Sequence, residues 1–580
     1  MMNNEAATAL NSHVDHMPAT RSRSLRVAVA LAALIAAGVE AAPRQALAQG
    51  TGGQAEVFAG SQFESYLRYL QTLGKSAPTT WTIRGFSPSE IDALSPNDDS
   101  HPWSERYGFV KDSTKGLRFD FVLPTVGFTL NTAYPWGSND GPVWAGKGLT
   151  SWAQVGAQAR WGPFSARLAP IAFRSENTAF ELMNNGQSGD FQYGNGQLFF
   201  DIDLPQRFGG APYTRFDLGE SEARVDVVGV AAGISTASQW WGPTTVFPYI
   251  LSNNAGGFPH VFFGTSKPAN IGIGHVHTRV VYGKLSQSKY SSVQGKDYFT
   301  SFLSPGTERF MAGLIGTVQV RGIPGFEVGG ARFFHASTDS TGITSSNLKL
   351  PFQNFLKNRL QFEGDTVEGD DRSILQNQLA TIFFRWAPPG SGAEVYGEYG
   401  REDFSADTRD FLLQPDHSGT LNIGFRKAWL KGQRVNAVRA EIFTYEAPAG
   451  TRTRGEGLIY LHKPLAQGHT LNGQLLGANV GPGSGAAQYF AFERFTRGGR
   501  ITTFMSRVSM GERSARLPDY TSGPAIAKPN DVQWSLGLEA TRFIGPFDIT
   551  ARGVFTSELN RYFESDKSNG NLALVVRQAF

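Results

Sequence analysis

Residues 531–556 read DVQWSLGLEATRFIGPFDITARGVFT. Val532, Trp534, Leu536, Leu538 and Ala540 fall on one parity, and Gln533, Ser535, Gly537, Glu539 and Thr541 on the other. Phe543-Ile544-Gly545-Pro546-Phe547 then interrupts the alternation with glycine and proline, which supply turn geometry. Beyond it Ile549, Ala551, Gly553 and Phe555 face one way, and Thr550, Arg552 and Thr556 the other. Successive side chains of a strand point to opposite faces, so a period of two marks strands, and two of them about a tight turn make a hairpin. A soluble sandwich would give the same alternation. Its repetition over hundreds of residues, with the two ends of the chain, favours a membrane-spanning barrel.

The 580 residues could hold three or four ordinary domains, yet no linker-like break separates such units. Sixty-seven glycines, 12% aromatic residues, only 18% charged residues and no cysteine suit many strands with tight turns and aromatic belts. A mean hydropathy of -0.25 argues against a helical membrane protein, but an alternating barrel also hides from such averages. The formal net charge of +3 makes no electrostatic case for nucleic acid. Without cysteine, an exported chain takes its stability from the sheet rather than from disulfides.

Both ends speak for export. Arg21, Arg23 and Arg26 precede the apolar run from Val27 to Val39, and Ala46-Leu47-Ala48 is an A-x-A cleavage site, so residues 1–48 read as a signal peptide. The sixteen residues before Met17 are superfluous to such a signal, which points to Met17 rather than Met1 as the start. The run is too short to anchor in a bilayer, which takes about 20 residues as a helix. At the other end Leu572, Leu574 and Val576 share the parity of the terminal Phe580, resembling the signal by which outer-membrane barrels engage their assembly machinery. Gln578 breaks that pattern.

Between the ends, Glu56 to Leu73 predicts an amphipathic helix through Phe63, Tyr66, Leu67, Leu70 and Leu73, stopped by Gly74. A second, short helix is predicted after Ser87-Pro88-Ser89-Glu90, with Ser87 and Glu90 as a capping box and Phe86 and Ile91 as its staple. Residues 49–110 thus form a helical unit whose apolar face needs a partner, and the barrel of residues 111–580 is the nearest one. In the barrel, tight turns such as 161–164, 323–325, 388–392 and 545–546 alternate with long polar segments such as 365–373, 403–418 and 511–530. Short turns at one end and long loops at the other is the outer-membrane arrangement. The strands number roughly 16 to 18, within the known range. Their inward parity is mostly polar, which predicts a wet lumen.

Several motifs carry no chemistry. Gly141 to Lys147 lacks the Ser or Thr that a phosphate-binding loop needs next, and has no strand–loop–helix context. His275 and His277 share a strand face without a third ligand, so no metal site is assigned. Gly481 to Gly485 lacks the nucleophile-elbow spacing, and Glu363, Asp365, Glu368, Asp370 and Asp371 lack calcium-loop spacing. No catalytic residue and no cofactor is expected.

Two features carry more. Glu394, Tyr396, Glu398 and Glu402 share one face of a strand, with Val395 and Tyr399 opposite and Arg401 near the end. This inward ladder either hydrogen-bonds sugar hydroxyls or pairs with inward arginines; intramembrane charge is usually functional, and both readings stand. Gln239-Trp240-Trp241-Gly242-Pro243, followed by Leu251-Ser252-Asn253-Asn254-Ala255, joins rings that stack on sugars to amides that pair with hydroxyls. Tryptophan at a strand end is also an ordinary interface anchor. The expected polysaccharide-binding residues are therefore Trp240, Trp241, Asn253, Asn254, Glu394, Tyr396, Glu398 and Glu402, the first four on a loop that water reaches.

The run from Trp240 through Phe258-Pro259 resembles the capsule assembly Wzi family of lectin-like outer-membrane barrels. Asn377-Gln378-Leu379, the stretch Glu398 to Asp403, Gly473 to Gly481, Tyr66 to Leu70 and His101-Pro102-Trp103 are similar too. Thr244 departs from the family, where glycine is expected, which bears on the local turn. The resemblance implies an all-β transmembrane barrel of 18 antiparallel strands, a helical plug near the periplasmic end, and a role in holding capsular polysaccharide at the cell surface. It brings no catalytic residues. The expected protein is a monomeric, non-enzymatic barrel in contact with outer-membrane lipid and surface polysaccharide. A general diffusion porin is the alternative, with the helical unit and long loops against it, and a barrel hydrolase lacks a Ser–His pair.

Overall fold

The computed structural model describes residues 57–107, 116–293, 308–337, 345–353, 376–402, 408–445, 459–462, 465–510 and 530–578. The signal segment 1–48, the expected helix start at Glu56, the acidic loop 363–371 and Phe580 lie outside the described residues.

The hairpin that opened the sequence reading is the hairpin Asp531–Ile544 and Phe547–Arg561, turning at Gly545, whose φ of +53° favours glycine. Leu536 is 60% exposed and Ser535 3%, so the apolar parity faces out and the polar parity in. Among the described residues eighteen antiparallel strands close into a barrel, counting three strands interrupted at 169–170, 218–221 and 266–268 as one each. Closure comes from the first strand, Arg118–Asn131, which pairs with both Gly148–Trp161 and the final strand Ser565–Gln578. The register of the first pair slips between Val122 and Thr125. Pro124, with no N–H to give a ladder, sits in that bulge, and the slip moves the outward parity from Phe119 and Phe121 to Leu130.

Connections of two residues at 162–163, 228–229, 432–433, 497–498 and 545–546 share one end of the barrel, the periplasmic end by the usual asymmetry. The other, extracellular end carries long connections, among them 176–212 and 236–259.

Helix α1 spans Gln62–Thr72 and α2 spans Pro88–Leu94. The first begins later than expected because Gly60 takes a φ of +80° and Ser61 caps the amide of Glu64 at 3.1 Å. Gly74, at φ +74°, follows its end as expected. The capping box of α2 forms as read, Ser87 Oγ accepting from the Glu90 amide and Glu90 accepting from the Ser87 amide at 2.8 Å. Tyr66, Leu67, Leu70, Trp81, Ile91 and Trp103 pack with Val435, Ala437 and Phe495 of the barrel wall. Leu67 and Leu70, fully buried, contribute roughly 1.5–3 kcal/mol each. The Gly392 amide donates to the Thr72 carbonyl, and Arg106 reaches the Gly545 carbonyl, so this unit stands at the short-turn end.

The expected wet lumen is corrected. Above the helical unit lies a second apolar cluster, formed by wall residues such as Met311, Phe333 and Phe383 with Phe247, Tyr249, Tyr460 and Leu475 of inturned extracellular loops. Polar wall residues meet these loops instead of water, so an inward polar parity did not require a solvent-filled channel.

Candidate functional site

Loop 236–259 leaves the extracellular rim and folds back into the barrel. There Trp240 and Trp241 form a two-residue antiparallel ladder with Ile83 and Arg84 of the helical unit. The Arg84 guanidinium lies 3.8 Å from the Trp240 ring centroid, and Trp240 Nε1 donates to the Thr244 carbonyl at 3.1 Å. Gly242, at φ +94°, turns the chain and donates to the Thr82 carbonyl; Thr244, where glycine was expected, is buried and uses its carbonyl. Trp241 lies so close to the strand Glu308–Val320 that a Cβ on Gly313 would stand 2.4 Å from its ring. Asn253 Nδ2 donates to the Ala59 carbonyl at 3.2 Å, and Asn254 Nδ2 to the Leu475 carbonyl at 3.0 Å.

These positions correct the expectation that water reaches this loop. Trp240, Trp241 and Asn254 are buried and Asn253 is half-buried. The loop also carries Phe247, Tyr249, Ile250, Leu251 and Phe258, and burying so much apolar surface in the lumen outweighs leaving it in solvent.

The ladder faces inward as read, and each of its four members is occupied by protein. Arg68 of α1 donates to both Glu394 oxygens, and Arg385 Nη2 donates at 3.3 Å. Tyr396 donates to Glu441 at 2.6 Å, and Glu441 in turn accepts the amides of Thr245, Val246 and Phe247. Glu398 accepts from Thr381 Oγ1 at 3.0 Å and lies beneath Gly242. Glu402 accepts from Asn377 Nδ2 at 2.7 Å and from the Tyr460 amide. From the short-turn end to the long-loop end, one wall strand thus docks the helical unit, then loop 236–259, then the segment at Tyr460. Of the two readings of the ladder, Glu394 displays arginine pairing. The structure gathers all eight expected residues in the lumen, in one frame.

What the sequence reading passed over is segment 176–212 at the extracellular end. It is framed from within by its own amides. Asn177 Nδ2 donates to the carbonyls of Phe208, Gly209 and Ala211, and Gln206 holds Met183 on both its amide and its carbonyl. Asp203 ties it to the neighbouring loop by accepting from the Ser288 amide at 2.6 Å, and burial pushes that carboxyl above the usual carboxylate range. Outward it presents exposed Asn184 and Gln192 beside the half-exposed rings of Phe191 and Tyr193. The signal was there in the density of Asn, Gln, Gly and aromatic residues from Asn184 to Gln197. No group of three or more metal-ligating side chains occurs among the described residues.

A closed outer-membrane barrel, its lumen filled by a helical unit and inturned loops beneath an amide- and aromatic-bearing extracellular surface, is the class of protein these features define. The chain belongs to the capsule assembly protein Wzi family, whose profile matches residues 137–542. Among solved structures it is similar to Wzi of Escherichia coli, described as a carbohydrate-binding outer-membrane β-barrel involved in group 1 capsule assembly, with a TM-score of 0.57 and 13% identity over 90% of this chain and 99% of that one. It also matches OccAB3 of Acinetobacter baumannii (TM-score 0.36, 10% identity, 78% of this chain and 98% of that one) and OccK5 of Pseudomonas aeruginosa (0.38, 8%, 80% and 98%), likenesses too low to carry an argument. No curated protein sequence matches it.

Proposed function

We propose that this barrel binds capsular or exopolysaccharide at the cell surface and holds it there without catalysis. The observation that carries the reading is the filled lumen, which leaves the extracellular face as the surface open to a large polar ligand. Polysaccharide offers hydroxyls and flat sugar faces but little apolar surface, so its site combines planar amides with aromatic rings. Gln192 with Tyr193, and Asn184 with Phe191, supply that combination where water reaches it. Trp240, Trp241, Asn253, Asn254, Glu394, Tyr396, Glu398 and Glu402 serve binding from below, as the frame that sets the loops. Membership of the Wzi family, and the carbohydrate binding ascribed to the E. coli protein, support the same reading. Insertion through Phe580 as a monomer completes it. A diffusion porin fits less well, since two packed layers cross the lumen.

The test is binding of polysaccharide extracted from the source strain to purified protein. Replacing Gln192 and Tyr193 together by alanine should weaken binding about tenfold, ~1.4 kcal/mol, with heat-modifiable gel mobility unchanged. Trp241→Ala should alter mobility as well as binding. Full binding by the Gln192/Tyr193 variant would remove segment 176–212 from the site, and absence of binding by the unaltered protein would overturn the function.

A further inference from the structure

On the outer wall, five adjacent strands line a groove of about 500 Å³ in the face turned to lipid. Its floor is made of residues too small to fill it: Gly316 lies opposite Gly330, and Ala380 lies one row nearer the surface. Ile382, 65% exposed, and Leu314 form apolar sides. The alternate residues Ile315, Phe333 and Leu379 point into the lumenal core, which fixes this face as the outward one.

Two cations bracket the floor in one register row, Arg332 opposite Ala380 and Ala380 opposite Arg401. Arg332 is engaged by the carbonyls of Pro351 and Gln353 and by the Gln378 side chain. Arg401 is different. It is 4% exposed, it lines the groove beside Tyr399, which its guanidinium contacts, and its Nε and Nη1 have no hydrogen-bond partner among the described residues. Among the described residues no carboxylate pairs with it; it rests 5.3 Å from the Phe411 ring. An outward arginine on a barrel is costly near the bilayer midplane, and less so toward the interfaces. The three N–H groups on these two buried nitrogens add to that cost unless an anion meets them.

The neighbouring loop segments also turn outward. Leu350 packs on the outer-face residues Phe310, Ala312 and Phe334 while Phe352 stays 64% exposed. The helix Thr408–Leu413 exposes Leu412 and Leu413 at 71% and 63%. Apolar side chains bared beside a groove on a lipid-facing wall belong in lipid.

We propose that this groove is a site for a phosphorylated lipid of the outer leaflet, one acyl chain lying on Gly316, Gly330 and Ala380 and the phosphate accepting from Arg401 with the charge of Arg332 beside it. Arg401 is the penultimate residue of the strand Ala393–Glu402, at the end of that strand that leads into the long connections. The site is separate from the polysaccharide surface and does not depend on it.

The test uses the full chain, purified, delipidated in detergent and titrated with three probes followed by native mass spectrometry: a bis-phosphorylated lipid A, the same lipid dephosphorylated, and inorganic phosphate as competitor. The expected result is one retained phosphorylated lipid, at least tenfold weaker retention of the dephosphorylated form, and no displacement by phosphate at equal concentration. Arg401→Gln should abolish the preference between the two lipids, Arg401→Lys should restore part of it, and Ala380→Phe should lower retention of both. Equal retention of the two lipids by the unaltered protein would overturn the proposal, as would displacement by inorganic phosphate, which would make the ligand a free anion. The unaltered protein decides the matter even where Arg401→Gln fails to fold.

Discussion

Ser535 and Leu536 are bonded neighbours that meet different surroundings, Ser535 in a hydrogen bond with Thr556 across the inner wall and Leu536 on the outer one. That contrast sets the cost of a charge at each parity. Leu536→Arg should destabilise the barrel by about 2–4 kcal/mol if it lies near the midplane. Arginine at the half-buried, lumen-facing Gln533 should cost well under half of that. Urea titration of each variant in vesicles, read by heat-modifiable mobility, checks this, and equal costs would refute the parity assignment. Facing direction was legible from sequence at this scale because it follows from the period alone. The inward face of Glu394, Tyr396, Glu398 and Glu402 was legible for the same reason. Their partners were not, since Arg68 lies 326 residues from Glu394, and no local pattern encodes such a contact.

Whole elements divide along the same line. The stop of α1 at Gly74, the capping box of α2 and the turn at Gly545 were readable because each is completed within a few residues, whereas the Ser61 cap that sets the start of α1 was passed over. The inturned course of loop 236–259 was not, because it is fixed by Ile83, Arg84, Glu441 and Leu475 from three distant parts of the chain. The companion segment 465–480 offers a test through His469, whose Nε2 lies 2.6 Å from the Ile250 carbonyl. Burial pushes this imidazole down to about 3, against the carbonyl contact, which raises it, and with the charge of Arg309 lowering it further. Unfolded, the ring takes its proton near 6.5, so between the two values the unfolded state binds more protons. The stability it contributes is therefore complete above pH 6.5 and is lost as pH falls toward 3. Urea midpoints should drop between pH 7 and pH 4.5, and His469→Gln should flatten part of that slope. An unchanged slope in the variant would mean that other groups set it.

At the scale of the molecule, the lumen holds two layers, each with its own apolar cluster on the wall. The lower is the cluster of α1, α2, Trp81 and Trp103 on the wall around Val435 and Phe495. The upper is the cluster of Phe247, Tyr249, Tyr460 and Leu475 on the wall around Met311 and Phe333. The ladder at Ile83–Arg84 and Trp240–Trp241 and the contact of Asn253 with Ala59 are among the links between them. Because each layer is anchored to the wall by its own buried contacts, removal of one leaves the other seated. Deletion of residues 57–107 should therefore leave the barrel nearly silent in planar bilayers. The upper layer retains the Glu441 amide bonds and the Glu402 bond to Tyr460 that hold it. Joint deletion of 57–107 and 240–255 should give stepwise single-channel currents. Large steps from the first deletion alone would show that the upper layer depends on the lower, and that the Trp240–Trp241 ladder carries the coupling.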